Sequence, residues 1–156
     1  SCQFAFHYLI ETDEKMNSIM KVISEYLSND GTFIATCFEK NAIDTFLAKY
    51  KDNKYSYPLG SEYMNPEDKK WHLEKVGKDE IKVLLPFSRG ELYQEYLVDK
   101  TKCKTIGEMN SLYLLRCDSF GTIANSDKEL SHKYKQLTDD EQEWINLYHA
   151  FVFKKA

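Results

Sequence analysis

The chain has 156 residues, enough for one domain, and its 42% hydrophobic and 14% aromatic content can fill a core, which excludes a disordered polymer. No apolar run approaches the ~20 residues that cross a bilayer, and the first residues lack the basic-then-apolar pattern of a signal peptide, so a soluble, unsecreted chain without membrane contact is expected. A formal net charge of −4 argues against broad coating of a nucleic-acid backbone, so a bound nucleic acid would be held locally.

Residues 1–8 read as a short buried strand, aromatic-rich and ending before a polar patch. Thr12 can then cap a helix in which Met16, Ile19, Met20, Ile23 and Leu27 share one face, with Asn29-Asp30-Gly31 as its stop. The β-branched and aromatic run 32–38 predicts a second buried strand. Strand, helix and strand at this spacing make a βαβ unit, and hence a parallel-dominated sheet.

A helix is predicted over 41–51, with Ile43, Phe46, Leu47 and Tyr50 on one face. Residues 52–70 are rich in turn formers and tyrosine, and 71–85 read as a hairpin turning near Gly77-Lys78-Asp79. After a turn at 86–90, residues 92–99 alternate as a strand, placing Tyr93, Glu95 and Leu97 on one face. A short helix over 102–110 and a strand over 112–120 follow. Segment 124–137 is polar and either helical or loop-like. Thr138-Asp139-Asp140-Glu141 is a capping-box pattern that opens a last helix, and 148–154 alternate as a closing strand.

Several chemical motifs are missing from this sequence. The six glycines are isolated, so no Gly-x-Gly turn or P-loop exists to bring bare backbone against a nucleotide. There is no nucleophile elbow, no HExxH helix and no calcium-binding loop, so hydrolase and metalloenzyme readings lose most of their support. Cys2, Cys37, Cys103 and Cys117 are scattered without zinc-ligand spacing, which predicts reduced thiols and no metal. A βαβ unit starting at residue 1 without that glycine-rich turn is expected to be the second half of a doubly wound fold, its first half upstream.

Three ordered motifs carry a resemblance. QFAFHY at 3–8 with LSNDGTFIATCF at 27–38, QEYLVD at 94–99 and EWINLYHAFVFKK at 143–155 are similar to the QFxxHY strand end, the P-E-(F/Y)-L-V segment and the C-terminal (I/L)-Y-x-x-F-x-F-x-K ending of the mRNA cap (guanine-N7) methyltransferases. The flavour is that of the capping enzymes of large cytoplasmic DNA viruses. The chain departs where the family often has a proline, here Phe38, and where its helix ends in Gly-Gly, here Asp30-Gly31.

The resemblance implies an α/β fold: the second half of a class I, Rossmann-like AdoMet-dependent methyltransferase with a mixed sheet and a β-hairpin insertion, residues 1–156 forming one domain portion. It implies methyl transfer from S-adenosyl-L-methionine to N7 of the 5′ guanosine cap. Gln3, Phe4 and Tyr8 would lie at the cofactor, and Phe4, His7, Tyr8, Glu95 and Tyr148 would line the guanine pocket, none of them acting as acid or base. The partners it implies are 5′-capped RNA (GpppN) and an upstream AdoMet-binding half, with guanylyltransferase or triphosphatase domains as candidates on the same polypeptide. The location would be cytoplasmic, in a viral factory or virion for a viral protein, and nuclear for a cellular one.

Each assignment has a plainer rival. Glu95 inside an apolar strand is the strongest hint, because carboxylates are rarely buried without a partner; its rival is an edge-strand solvent face or an ion pair. His7 could be a structural histidine and Tyr148 a core aromatic. The lysines at 49/51/54, 100/102/104 and 133/135 could meet a triphosphate or simply face water. At the level of function, the rivals are an inactive methyltransferase-like scaffold or stimulatory subunit, and a methyltransferase for another nucleobase or small substrate.

Overall fold

The computed structural model describes residues 1–60, 65, 68–86, 88 and 90–156. The chain divides into two compact units, one of residues 1–42 and 98–156, the other of residues 43–97.

In the first unit, β1 (Cys2–Gln3) pairs parallel with β2 (Thr32–Phe38), and α1 (Asp13–Tyr26) lies between them in the chain. The expected βαβ unit is therefore present. The Thr12 side chain accepts the Lys15 N–H at 3.2 Å and caps α1, with Asp13 and Glu14 in its first turn, where the helix dipole favours negative charge. The helix ends at Tyr26, a few residues before the expected stop, and Leu27 closes it with its N–H on the Ile23 carbonyl.

The strand expected over 1–8 is much shorter. Phe4 takes a left-handed backbone (φ 52), which no strand can continue, and Phe6–Leu9 coil into a 3₁₀ turn. His7 and Tyr8 thus stand on this turn beyond the strand.

After β2 come α2 (Lys40–Leu47), which begins in the first unit, and then the residues of the second. The chain re-enters the first unit at Val98, where the Val98 N–H donates to the Phe38 carbonyl (3.4 Å) and the Lys40 N–H to the Val98 carbonyl (3.0 Å). There follow α3 (Lys100–Met109), β7 (Leu112–Ser119), α4 (Phe120–Ser126), α5 (Lys128–Tyr134), α6 (Asp139–Ile145) and β8 (Tyr148–Lys155). Most of the polar segment 124–137 is helical, in the end of α4 and in α5, with Asp127 extended between them. Strand order is β1-β2-β8-β7, with β8 antiparallel to both neighbours. The sheet is mixed, but among the described strands its parallel pairing is confined to β1 and β2.

Alternation sorts the sheet's two faces. Phe33, Ala35, Phe151 and Phe153 point one way into a core with Phe6, Met16, Met20, Cys103 and Ile106. Thr36, Phe38, Tyr148 and Ala150 point the other way. Burial raises the Cys117 thiol to about 12 and pushes Cys103 higher still, so both stay protonated and inert at neutral pH. All four cysteines are free.

The second unit is an antiparallel sheet, β3 (Lys54–Tyr57), β4 (Trp71–Lys75), β5 (Glu80–Leu84) and β6 (Tyr93–Tyr96), in that order. The hairpin expected near Gly77 joins β4 and β5, closed by the Val76 N–H on the Glu80 carbonyl (3.1 Å), and it is the centre of a four-stranded sheet. The helix expected to reach residue 51 ends at Leu47, and Asp52 and Asn53 turn the chain through left-handed backbone (φ 57 and 52) into β3. Parts of the tyrosine-rich turn region and of the 86–90 turn lie outside the described residues.

Candidate functional site

Because β1, β2 and β7 run in one direction and β8 in the other, the carboxyl ends of the first three and the amino end of β8 lie along a single edge of the first unit. Open α/β sheets bind ligands beyond such an edge. Gln3, Phe4, Phe38, Glu39, Ser119, Phe120, Tyr148 and His149 all stand there.

Three of the residues named from sequence meet at this edge although 145 positions of chain separate the first from the last (148 − 3). Gln3 pairs with Thr36 across β1 and β2, and the Thr36 hydroxyl donates to Gln3 Oε1 at 2.7 Å. The Phe4 ring, 51% exposed, meets Tyr148 edge-on at 5.4 Å. Tyr148 also stacks on Phe38 (4.1 Å, 23°) and lies nearly parallel to Phe120 (5.8 Å, 28°), which Phe4 approaches edge-on at 6.0 Å. Such offset and edge-on pairs match the ring quadrupoles and fix one another's orientation.

Two more, His7 and Tyr8, stay together on the 3₁₀ turn with rings 4.0 Å apart. His7 is only 4% exposed, and burial pushes its imidazole down to about 4, so it is neutral at neutral pH. Tyr8 is half exposed. The last one, Glu95, belongs to the second unit, on β6 opposite Ile81. It is 5% exposed, so its side chain does not lie on a solvent face.

Phe120, Thr36 and Glu39 escaped the sequence reading. Phe120 ends the run 112–120, where an aromatic at a strand's carboxyl end was a legible signal. Thr36 reads as one more β-branched strand residue. Glu39 is buried at the end of β2, where Oε2 accepts the Ala42 N–H at 2.8 Å at the head of α2 and Oε1 has no hydrogen-bond partner among the described residues. Its charge partly offsets the burial that lowers the pKa of the neighbouring His149.

Beside the aromatic cluster, α4, α5 and α6 line an open apolar pocket of about 460 Å³ with Thr36, Ala150 and Phe120. The three helices are tied by Asn146, which accepts the Gly121 N–H (3.0 Å) and donates to the Tyr134 hydroxyl (2.7 Å). In the second unit, Ser56 Oγ lies 2.5 Å from His72 Nδ1, with Glu74 3.5 Å from the other ring nitrogen, an order suggestive of a nucleophile and its base. Ser56 and His72 are both buried, at 0% and 2% exposure.

Residues 1–65 match the model of the mRNA (guanine-N(7))-methyltransferase domain. An mRNA-capping enzyme of African swine fever virus is 33% identical over 84 residues, 53% of this chain and 10% of that protein. The mRNA cap guanine-N(7) methyltransferase 1 of rice, Oryza sativa subsp. japonica, is 27% identical along 99% of this chain and 46% of its own length. A crystal structure of an S-adenosylmethionine-dependent methyltransferase from Clostridium acetobutylicum superimposes with a TM-score of 0.56 at 11% identity, over 99% of this chain and 56% of that one, and shows a shared fold. The chain thus spans about half the length of the rice relative and a tenth of the viral one. The QFxxHY segment lies inside the matched region with the other two motifs in order behind it, so the first 65 residues are similar to the mRNA (guanine-N(7))-methyltransferase domain, and the whole chain shares its fold with an S-adenosylmethionine-dependent methyltransferase.

Proposed function

We propose that this chain forms the guanine-binding half of an enzyme that methylates N7 of the mRNA 5′ cap. The observation that carries the reading is the meeting of Gln3, Phe4 and Tyr148 on one sheet edge, in which a half-exposed aromatic ring stands beside a polar strand end. An exposed amide and exposed rings fit a flat purine and a neighbouring sulfonium, so Gln3, Phe4 and Tyr8 would hold S-adenosylmethionine. When bound, it supplies the transferable methyl.

Guanine N7 carries a lone pair and loses no proton on methylation, so none of these residues acts as a general base. Their task is to hold a flat base still, and alignment alone can contribute ~7–11 kcal/mol. Phe4, Tyr8 and Tyr148 offer ring faces and edges, and base stacking is worth ~1–3 kcal/mol. Neutral His7 would add a fixed dipole without net charge.

Glu95 is the guanine reader in this scheme. A carboxylate can accept from guanine N1–H and N2–H₂ together, a pairing adenine does not offer. Positive charge develops on the purine as the methyl arrives, so the same group stabilises the transition state more than the ground state. A carboxylate kept out of water by burial suits both tasks.

The test is Glu95→Ala in the complete enzyme. Losing a bidentate contact of ~1–3 kcal/mol predicts cap-analogue binding and N7 methylation lower by roughly 5- to 150-fold, with S-adenosylmethionine affinity nearly unchanged. Wild-type methylation in that variant would overturn the assignment.

A further inference from the structure

We infer that Thr36 is the positioning residue of the candidate site, an inference that rests on the guanine-N7 reading for its ligand but not for its geometry. Thr36 sits within β2, is 6% exposed, and bonds both the last residue of β1, Gln3, and the residue after it, Phe4. Its hydroxyl donates to Gln3 Oε1 (2.7 Å) and accepts the Phe4 N–H (3.1 Å), while its carbonyl accepts the same N–H at 2.9 Å.

The arrangement matters because Phe4 occupies left-handed backbone, φ 52, which a side-chain-bearing residue holds only when its surroundings impose it. Two acceptors on one residue grip the Phe4 N–H, and the grip aims a half-exposed ring at Tyr148 and Phe120. The second bond of the hydroxyl turns the Gln3 side chain so that its oxygen is occupied and its NH₂ remains to donate. One buried hydroxyl thereby sets the ring that would flank the base and the amide that would meet the cofactor. Thr36 also lines the open pocket beside α4, α5 and α6, on the same face of the sheet as Ala150.

Thr36→Val removes the hydroxyl with little change of shape, and it strands no buried group: Gln3 is exposed to water and the Phe4 N–H keeps the backbone carbonyl of residue 36. Thr36→Ser keeps the hydroxyl. On the full 156-residue chain, amide exchange at Phe4 and the Phe4–Tyr148 ring contact would be read by NMR. In the complete enzyme used for the Glu95 variant, cap-analogue affinity, KM and kcat would be read.

Thr36→Val is expected to speed Phe4 exchange and weaken cap binding by about two- to tenfold, the worth of one hydrogen bond, with Thr36→Ser restoring both. Unchanged exchange in Thr36→Val would overturn the clamp. Faster exchange with wild-type cap affinity and KM would overturn its positioning role. If the wild-type enzyme bound no cap analogue while Thr36→Val still freed Phe4, the clamp would stand and the guanine-N7 reading would fall.

Discussion

Burial of a titratable ring decides what His7 can do. Its imidazole, 4% exposed, has a pKa of about 4, below the ordinary 6.5, and desolvation is the cause. A histidine held neutral in the fold lends stability that is complete above its unfolded pKa and drains as pH falls from about 6.5 toward 4. The shift corresponds to roughly 3 kcal/mol. Urea unfolding of wild type and His7→Gln between pH 7 and pH 4 would show it: the wild type should lose more stability over that window than the variant. His72 and His149 are also depressed by burial and remain in both proteins, so the difference isolates His7. Gly121 poses a steric question at the same scale. A Cβ there would fall 2.0 Å from Asn146 Oδ1 and 2.7 Å from the Tyr134 hydroxyl. Gly121→Ala should cost about 1–3 kcal/mol in chemical denaturation, by breaking the bonds that join α4, α5 and α6.

Local sequence specified whole elements best where caps and periodicity agreed. At α6 the Thr138 hydroxyl accepts the Glu141 N–H (3.3 Å) and the Glu141 carboxylate accepts the Thr138 N–H (3.0 Å), the reciprocal capping box read from four residues. Thr138→Ala should lower stability by about 1 kcal/mol, measured as a shift in denaturation midpoint. The α1 helix and β8 were legible for similar reasons, a cap with a 3.6-residue stripe in one and strict alternation in the other. Failure came at β1. Residues 1–8 have strand composition, but a left-handed Phe4 stops pairing after Gln3, and its N–H donates to the carbonyl and the hydroxyl of a residue thirty-two positions away. No local window contains that partner.

Across the chain, two sheets of different character carry the two kinds of chemistry proposed. The first, mixed, places Gln3, Phe4 and Tyr148 on one edge; the second, antiparallel, buries Glu95 on β6. Among the described residues no helix is long and apolar enough to cross a membrane.

By itself the sequence determined the parallel βαβ start, the helix caps, the central hairpin of the second sheet and the motifs that carry the resemblance to cap methyltransferases. All of these are written in spacings of a few residues, where backbone geometry repeats. Only the tertiary structure decided that the first strand stops after Gln3, that Phe120 joins Phe4 and Tyr148, that Glu95 is withdrawn from water and that the Thr36 hydroxyl bonds both Gln3 and Phe4. Each of those depends on which strands lie side by side, and strand order is set by burial and pairing summed over residues far apart in the chain.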